Sequence, residues 1–231
     1  MPTLESVIQR FFVKSSGLVH ICLDVYIVTD IVQYFMKPFH VIGLGASAGG
    51  VEALTEFFAN LPAVPNAAFI VVTHLNPNYN SQLTSILSRV TSLPVCKVKN
   101  EQEILKNHVY VMPENVLLTV KEGKCLISPR RDTNKINKTI DVFLLSLAED
   151  QKEFAVGIVL SGSGSDGSEG VKKIHGAGGR VFVQDPASAS FAMMPSAAIR
   201  IDNPEAVENP GKLAKRLPDL LKLKQRPIVG G

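Results

Sequence analysis

Cysteine is scarce in this chain. Three occur in 231 residues (Cys22, Cys96 and Cys125), far apart and odd in number, and no C-x-x-C pair exists. That excludes a disulfide framework and a cysteine-based metal site, and reduced thiols in a cytoplasm are the simplest reading. Charge is also sparse. Charged residues make up 19% of the chain and the formal net charge is +3, with no long basic run, which argues against a nucleic-acid partner. Tryptophan is absent, which decides nothing. A long uncharged apolar run is missing too. Residues 17–36 come nearest, but His20, Asp24 and Asp30 interrupt them. A membrane span prefers about 20 residues with few or no charges. No small-residue cleavage signature follows a short apolar core, so neither a span nor a secretory signal is expected. What remains is a soluble globular composition, 45% hydrophobic, with room for one large α/β domain or two small ones.

One stretch organises the rest: Val41-Ile-Gly-Leu-Gly-Ala-Ser47-Ala-Gly-Gly50. An apolar run from Phe39 stops at small residues, and helical spacing of Val51, Leu54, Phe57 and Phe58 begins, so the stretch reads strand, tight turn, helix. Two motifs overlap in it. Gly45-Ala-Ser47-Ala-Gly49 fits G-x-S-x-G, a turn that lifts a serine hydroxyl above the end of a sheet. Gly43-Leu-Gly45-Ala-Ser-Ala48 fits G-x-G-x-x-G/A, the turn that admits a pyrophosphate. A third reading needs no function, because small residues also permit close strand–helix packing.

Three segments are expected along the chain. Residues 1–38 are an extension, with an amphipathic helix carried by Leu4, Val7, Ile8, Phe11 and Phe12, and with Met36 as an alternative start. Residues 39–203 form the main domain, and 204–231 a terminal helix (Leu213 to Leu223) and tail. In the main domain, apolar runs at 68–72, 154–160 and 180–184 predict strands. Helix faces follow at Leu83, Ile86, Leu87 and Val90, with Ser81 as cap, and at Ile140, Phe143, Leu144 and Leu147. Short β-rich pieces at 95–98, 108–112, 116–120 and 124–128 lie between, the last two as a hairpin around Glu122-Gly123. The predicted class is α/β: a doubly wound, mostly parallel sheet with helices on both faces and a small β-hairpin excursion.

Ligands of such sheets bind at the carboxyl ends of strands. Ser47, His74, Asp166 and Asp185 all fall at such ends, and a serine, a histidine and an acid converging there have the parts of a nucleophilic triad. Helix-start N–H groups after Ser47 are candidate oxyanion donors. The dinucleotide reading lacks the acid it needs about 20 residues on, where Thr73 and His74 stand. His20, His40, His108 and His175 have no nucleophile nearby in sequence and read as structural or surface groups. Between the two acids, Asp185 precedes Pro186, which biases it towards a loop-shaping role, whereas Asp166 lies in a glycine-rich turn.

Five ordered blocks carry a family resemblance: Gly45-Ala-Ser-Ala-Gly-Gly50, Thr73-His-Leu-Asn-Pro77, Asn107-His-Val-Tyr-Val-Met-Pro113, Leu160-Ser-Gly-Ser-Gly-Ser-Asp-Gly167, and Gln184-Asp-Pro-Ala-Ser188 with Met194-Pro195. Together they resemble the CheB protein-glutamate methylesterase catalytic domain. Ser146-Leu-Ala-Glu-Asp150 and the serine loop look most like the branch fused with CheR-type methyltransferases. The resemblance implies hydrolysis of glutamyl methyl esters on methyl-accepting chemoreceptors or similar helical signalling proteins, with deamidation of receptor glutamines. It implies Ser47 as nucleophile, His74 as base and acid, Asp166 as orienting acid, no metal or organic cofactor, and a cytoplasmic location.

Ala48, Ser163 and Asn137-Lys138 depart from the family's common residues, and they concern substrate contacts more than the triad. A contrasting reading is a non-catalytic module of the same fold that binds receptor or partner helices. Retention of Ser47, His74 and Asp166 together favours the enzyme.

Overall fold

A computed structural model of the chain describes residues 39–63, 65–74, 82–130 and 138–222. The expected helix at 4–12, the apolar segment 17–36, the start at Met36, the Ser81 cap and most of the polar stretch 129–138 lie outside the described residues.

In chain order the elements are β1 (His40–Ala46), α1 (Gly50–Ala59), β2 (Ala67–Thr73), α2 (Leu83–Ser88), β3 (Val95–Lys97), β4 (Gln102–Glu103), β5 (Val109–Val111), β6 (Val116–Lys121) and β7 (Lys124–Pro129). There follow α3 (Thr139–Gln151), β8 (Ala155–Val159), α4 (Ser168–Gly176), β9 (Arg180–Gln184), α5 (Met193–Ile201), β10 (Ala206–Glu208) and α6 (Pro210–Leu220). Seven strands make one sheet in the order β10-β9-β8-β1-β2-β5-β3, and every pairing in it is parallel. The predicted hairpin is present as β6–β7, and β4 extends it into a separate antiparallel sheet. Glu122 and Gly123 turn it with φ of 52° and 70°, the left-handed pair a two-residue hairpin requires.

Side-chain alternation along β1 assigns the two faces. Val41 joins Ile140, Phe143, Leu144, Val171 and Ile174 on one side. Ile42, Leu44 and Ala46 join Leu54, Phe57, Phe58, Leu213 and Leu217 on the other. Fully burying one such leucine or phenylalanine contributes about 1.5–3 kcal/mol, so both faces hold their helices through many such increments. Gly43 and Gly45 explain how α3 comes so close. A Cβ on Gly43 would stand 2.6 Å from Phe143 Cε1, and one on Gly45 would stand 2.5 Å from Ile140 Cγ2. These two glycines of the G-x-G motif therefore serve strand–helix contact.

Several local expectations shift. Val51 is 38% exposed although it shares the spacing of Leu54 and Phe58, and Ala53 is buried instead. Val51 stands at the margin of the buried face made by Gly50, Ala53, Leu54, Phe57 and Phe58. The terminal helix starts earlier than its apolar spacing implies, because Asn209 Oδ1 accepts from Lys212 N–H (2.8 Å) and Pro210 opens the helix. Gln82, which precedes α2, makes no side-chain cap bond. Strands β4 and β10 and helix α5 carry too few residues, or in α5 an early Pro195, for periodicity to mark them.

At the amino end of β1, His40 is 8% exposed and its Nε2 has no hydrogen-bond partner among the described residues. Burial, with Arg180 nearby, lowers its pKa from 6.5 to about 4. The folded state therefore holds a neutral imidazole that the unfolded chain would protonate. Its stabilising contribution is complete above about pH 6.5 and is lost as pH falls towards 4, by roughly 1–3 kcal/mol. His40→Phe is expected to flatten the fall of the thermal midpoint between pH 6.5 and 4. Parallel midpoint-against-pH curves for variant and wild type would contradict this assignment.

Candidate active site

The strand order reverses at β1, with β2 on one side and β8 on the other, which makes its carboxyl end the switch point of the sheet. Ser47 follows β1, His74 follows β2, and Asp166 lies in the loop between β8 and α4. Three adjacent strands thus deliver the three groups to one end. Asp185 follows β9, one strand further out.

The serine turn is held from behind by the β8–α4 loop. Ser47 N–H donates to Ser161 C=O (2.9 Å), and Gly50 N–H donates to Ser47 C=O (2.8 Å). Gly49 stands at φ 68°, a conformation that costs a side chain, and a Cβ there would also meet Ser161 Oγ at 2.7 Å. Ser161 Oγ donates to Ala48 C=O (2.8 Å) and accepts from Phe191 N–H (3.0 Å). Ser161 N–H donates to Gln184 Oε1 (2.8 Å), and both residues are buried. A Cβ on Gly162 would stand 3.0 Å from Ser47 Cβ and collide with Met194. Ala48 and Gly49 N–H, just ahead of α1, have no acceptor among the described residues.

His74 is tied to β1 by its backbone N–H, which donates to Ala46 C=O (3.3 Å). Its Nε2 donates to Asp166 Oδ2 at 2.6 Å, with the two side chains 16% and 5% exposed. An imidazole that donates through Nε2 keeps Nδ1 as its acceptor when neutral, so the ring can take up a proton there.

Asp166 is surrounded by donors. Ile140 N–H donates to its Oδ2 (2.9 Å), and Asp141 N–H (2.8 Å) and Gly167 N–H (2.9 Å) donate to its Oδ1. The first two open α3, whose own preceding residue, Lys138, makes no side-chain cap bond. Asp166 supplies that missing cap from another part of the chain. Asp141, whose side chain is buried, accepts from Gly170 N–H in α4 through Oδ1 (2.9 Å), with Lys138 Nζ 3.7 Å from Oδ2. Burial pushes the Asp141 carboxyl above its usual range and neighbouring Asp166 adds to that, while the Gly170 bond and Lys138 oppose it.

Residues judged peripheral take structural roles. Asp185 Oδ1 accepts from Ala187 N–H (3.0 Å) and caps the short turn at Pro186–Ser188. His108 Nδ1 donates to Lys106 C=O (2.9 Å), and His175 Nδ1 pairs with Asp202 Oδ1 (2.8 Å). Cys96 and Cys125 are free thiols, while His20 and Cys22 lie outside the described residues. Among the described residues no group of three or more His, Cys, Asp or Glu could hold a metal. Motif reading assigned no role to Asp141, Ser161 or Gln184. An acid in a first helical turn is an ordinary feature, and no local pattern links position 141 to 170 or 184 to 161.

Known proteins resemble this chain in sequence and in fold. Residues 42–217 match the model of the CheB methylesterase family. A relative from Leptospira interrogans is 30% identical over 178 residues, 77% of this chain and 92% of the relative. A protein-glutamate methylesterase/protein-glutamine glutaminase from Photorhabdus laumondii is 31% identical over 180 residues, 76% of this chain and 51% of the relative. One of the same name from Myxococcus xanthus is 32% identical over 178 residues, 77% of this chain and 50% of its own length. The chain thus spans about half the length of these last two. The crystal structure of the Thermotoga maritima CheB methylesterase catalytic domain superposes with a TM-score of 0.71 at 26% identity, over 80% of this chain and 100% of that one. Among the described residues no helix is long and apolar enough to cross a membrane.

The Ser161–Gln184 bond has a measurable consequence. Gln184→Leu keeps volume but leaves the buried Ser161 N–H without its acceptor, which is expected to lower unfolding free energy by about 1–3 kcal/mol in urea titrations. An unchanged midpoint and slope would mean that this bond does not hold the loop.

Proposed function

The chain belongs to the CheB methylesterase family, and from that premise we propose that it is a serine hydrolase of glutamyl methyl esters on methyl-accepting chemoreceptors or similar helical signalling proteins. Its relatives' names add protein-glutamine glutaminase activity, and the proposal extends to glutamine deamidation. The observation that carries the reading is the 2.6 Å bond between His74 Nε2 and the buried carboxylate of Asp166, beside a serine at the end of the adjoining strand.

In the proposed reaction Ser47 Oγ attacks the ester carbonyl while His74 takes its proton. Asp166 orients the imidazole and stabilises the imidazolium. Ala48 and Gly49 N–H donate to the oxyanion of the tetrahedral intermediate. His74 returns the proton as the C–O bond breaks, releasing methanol and leaving a glutamyl ester on Ser47. Water, deprotonated by His74, then attacks that ester, and its collapse regenerates Ser47 and frees the glutamate carboxylate. For a glutamine substrate the leaving group is ammonia. We further assign the chain to the branch fused with CheR-type methyltransferases, with such a methyltransferase as partner, on the residues Ser146 to Asp150 and the serine loop. The site of action is cytoplasmic, and neither a metal nor an organic cofactor takes part.

A methylated receptor preparation is expected to release methanol with wild type and not with Ser47→Ala, and a phosphonate probe is expected to label Ser47. Labelling at another serine, with turnover kept in Ser47→Ala, would overturn the nucleophile.

The two acids separate in the same assay. Asp166→Asn, once circular dichroism shows it folded, is expected to lose up to about 10⁴-fold in kcat through the wrong histidine tautomer. Asp185→Asn, which disturbs only a short turn, should cost far less. The reverse ranking would transfer the orienting role to Asp185.

A further inference from the structure

Two helices meet at the site with poor local caps. Lys138 precedes α3 and Gly167 precedes α4, and neither makes a side-chain cap bond. Each helix instead receives a carboxylate from the segment that begins the other. Asp166, two residues ahead of α4, accepts from Ile140 and Asp141 at the start of α3. Asp141, in the first turn of α3, accepts from Gly170 in the first turn of α4. Two close contacts seal the junction: a Cβ on Gly167 would stand 2.9 Å from Ile140 Cγ2, and one on Gly170 would stand 2.5 Å from Leu144 Cβ. Neither helix can slide without breaking one of these bonds or opening a gap in packed side chains.

We propose that Asp141 is a positioning residue for the esterase, which through Gly170 locks the start of α4 to α3 and so fixes the Asp166 carboxylate against His74. It touches neither the serine nor the ester and acts only through Asp166. The bond to Gly170 N–H needs an acceptor oxygen rather than a full negative charge, and the Lys138 ammonium 3.7 Å from the other oxygen is on an exposed side chain, where solvent screens the pair. Asparagine at 141 keeps an acceptor oxygen of the same reach, whereas alanine leaves Gly170 N–H unpaired.

The inference rests on the triad reading above, and its test has one readout that does not depend on activity. In Asp141→Ala, kcat for methanol release is expected to fall about 10- to 100-fold with KM within about twofold, the pattern of a misplaced catalytic group. Asp141→Asn is expected to restore kcat to within about threefold of wild type. Proton NMR of ¹⁵N-histidine-labelled protein should show the far-downfield Nε2–H of His74 in wild type and Asp141→Asn, and its loss or broadening in Asp141→Ala. Should Asp141→Ala not fold, Asp141→Ser takes its place, because its hydroxyl is too short to reach Gly170. A folded Asp141→Ala with normal kcat and an intact resonance overturns the proposal, as does Asp141→Asn falling as far as Asp141→Ala. If Ser47→Ala and Asp166→Asn keep full turnover, the triad reading fails instead, and the resonance alone still decides whether Asp141 holds Asp166 against His74.

Discussion

A buried carboxylate is costly unless donors surround it, and Asp166 meets that condition only where three parts of the chain converge. Its two oxygens accept from His74 Nε2, from Ile140 and Asp141 at the opening of α3, and from Gly167 beside it. Withdrawing any one donor leaves a buried negative group short of a partner. The loop after β8, the position of α3 and the orientation of the imidazole are therefore coupled through one side chain. α3 needs that carboxylate as much as the histidine does, because Lys138 cannot cap it. The orientation of His74 and the initiation of α3 share a single group.

The serine side of the site rests on a different constraint, the backbone. Ser47 N–H is bonded to Ser161 C=O, so it is the N–H groups of Ala48 and Gly49 that remain open above the strand end. Ser161 is in turn held by Gln184 at the end of β9 and by Phe191 ahead of α5. Elements up to two strands from the serine thus determine its position. The overlapping glycine motifs separate in this light. Gly43 and Gly45 let α3 approach β1, while Gly49 adopts the left-handed turn that ends the strand. One run of small residues does two physical jobs.

Much of this was legible in the chain. Apolar runs and three-and-four spacing marked the parallel sheet and its main helices, because strand and helix periodicity follow from local geometry. The rule that ligands sit at carboxyl strand ends narrowed the polar groups to Ser47, His74, Asp166 and Asp185. Val51 differs because three-and-four spacing gives the direction of a helix face and not its width, and Val51 stands at its margin. Strands as short as β4 and β10 escaped because two or three residues contain no period.

The residues by themselves determined the α/β class, the serine turn, the hairpin at Glu122-Gly123 and the small set of polar groups at strand ends. Each depends on backbone preference or side-chain periodicity within a few positions. Only the tertiary structure decided which acid faces His74, that Asp141 and Asp166 exchange caps between α3 and α4, and that Gln184 holds Ser161. Those pairings join residues 23 to 92 positions apart. A hydrogen bond of that span leaves no local trace, because its partners are selected by how the helices pack on the sheet.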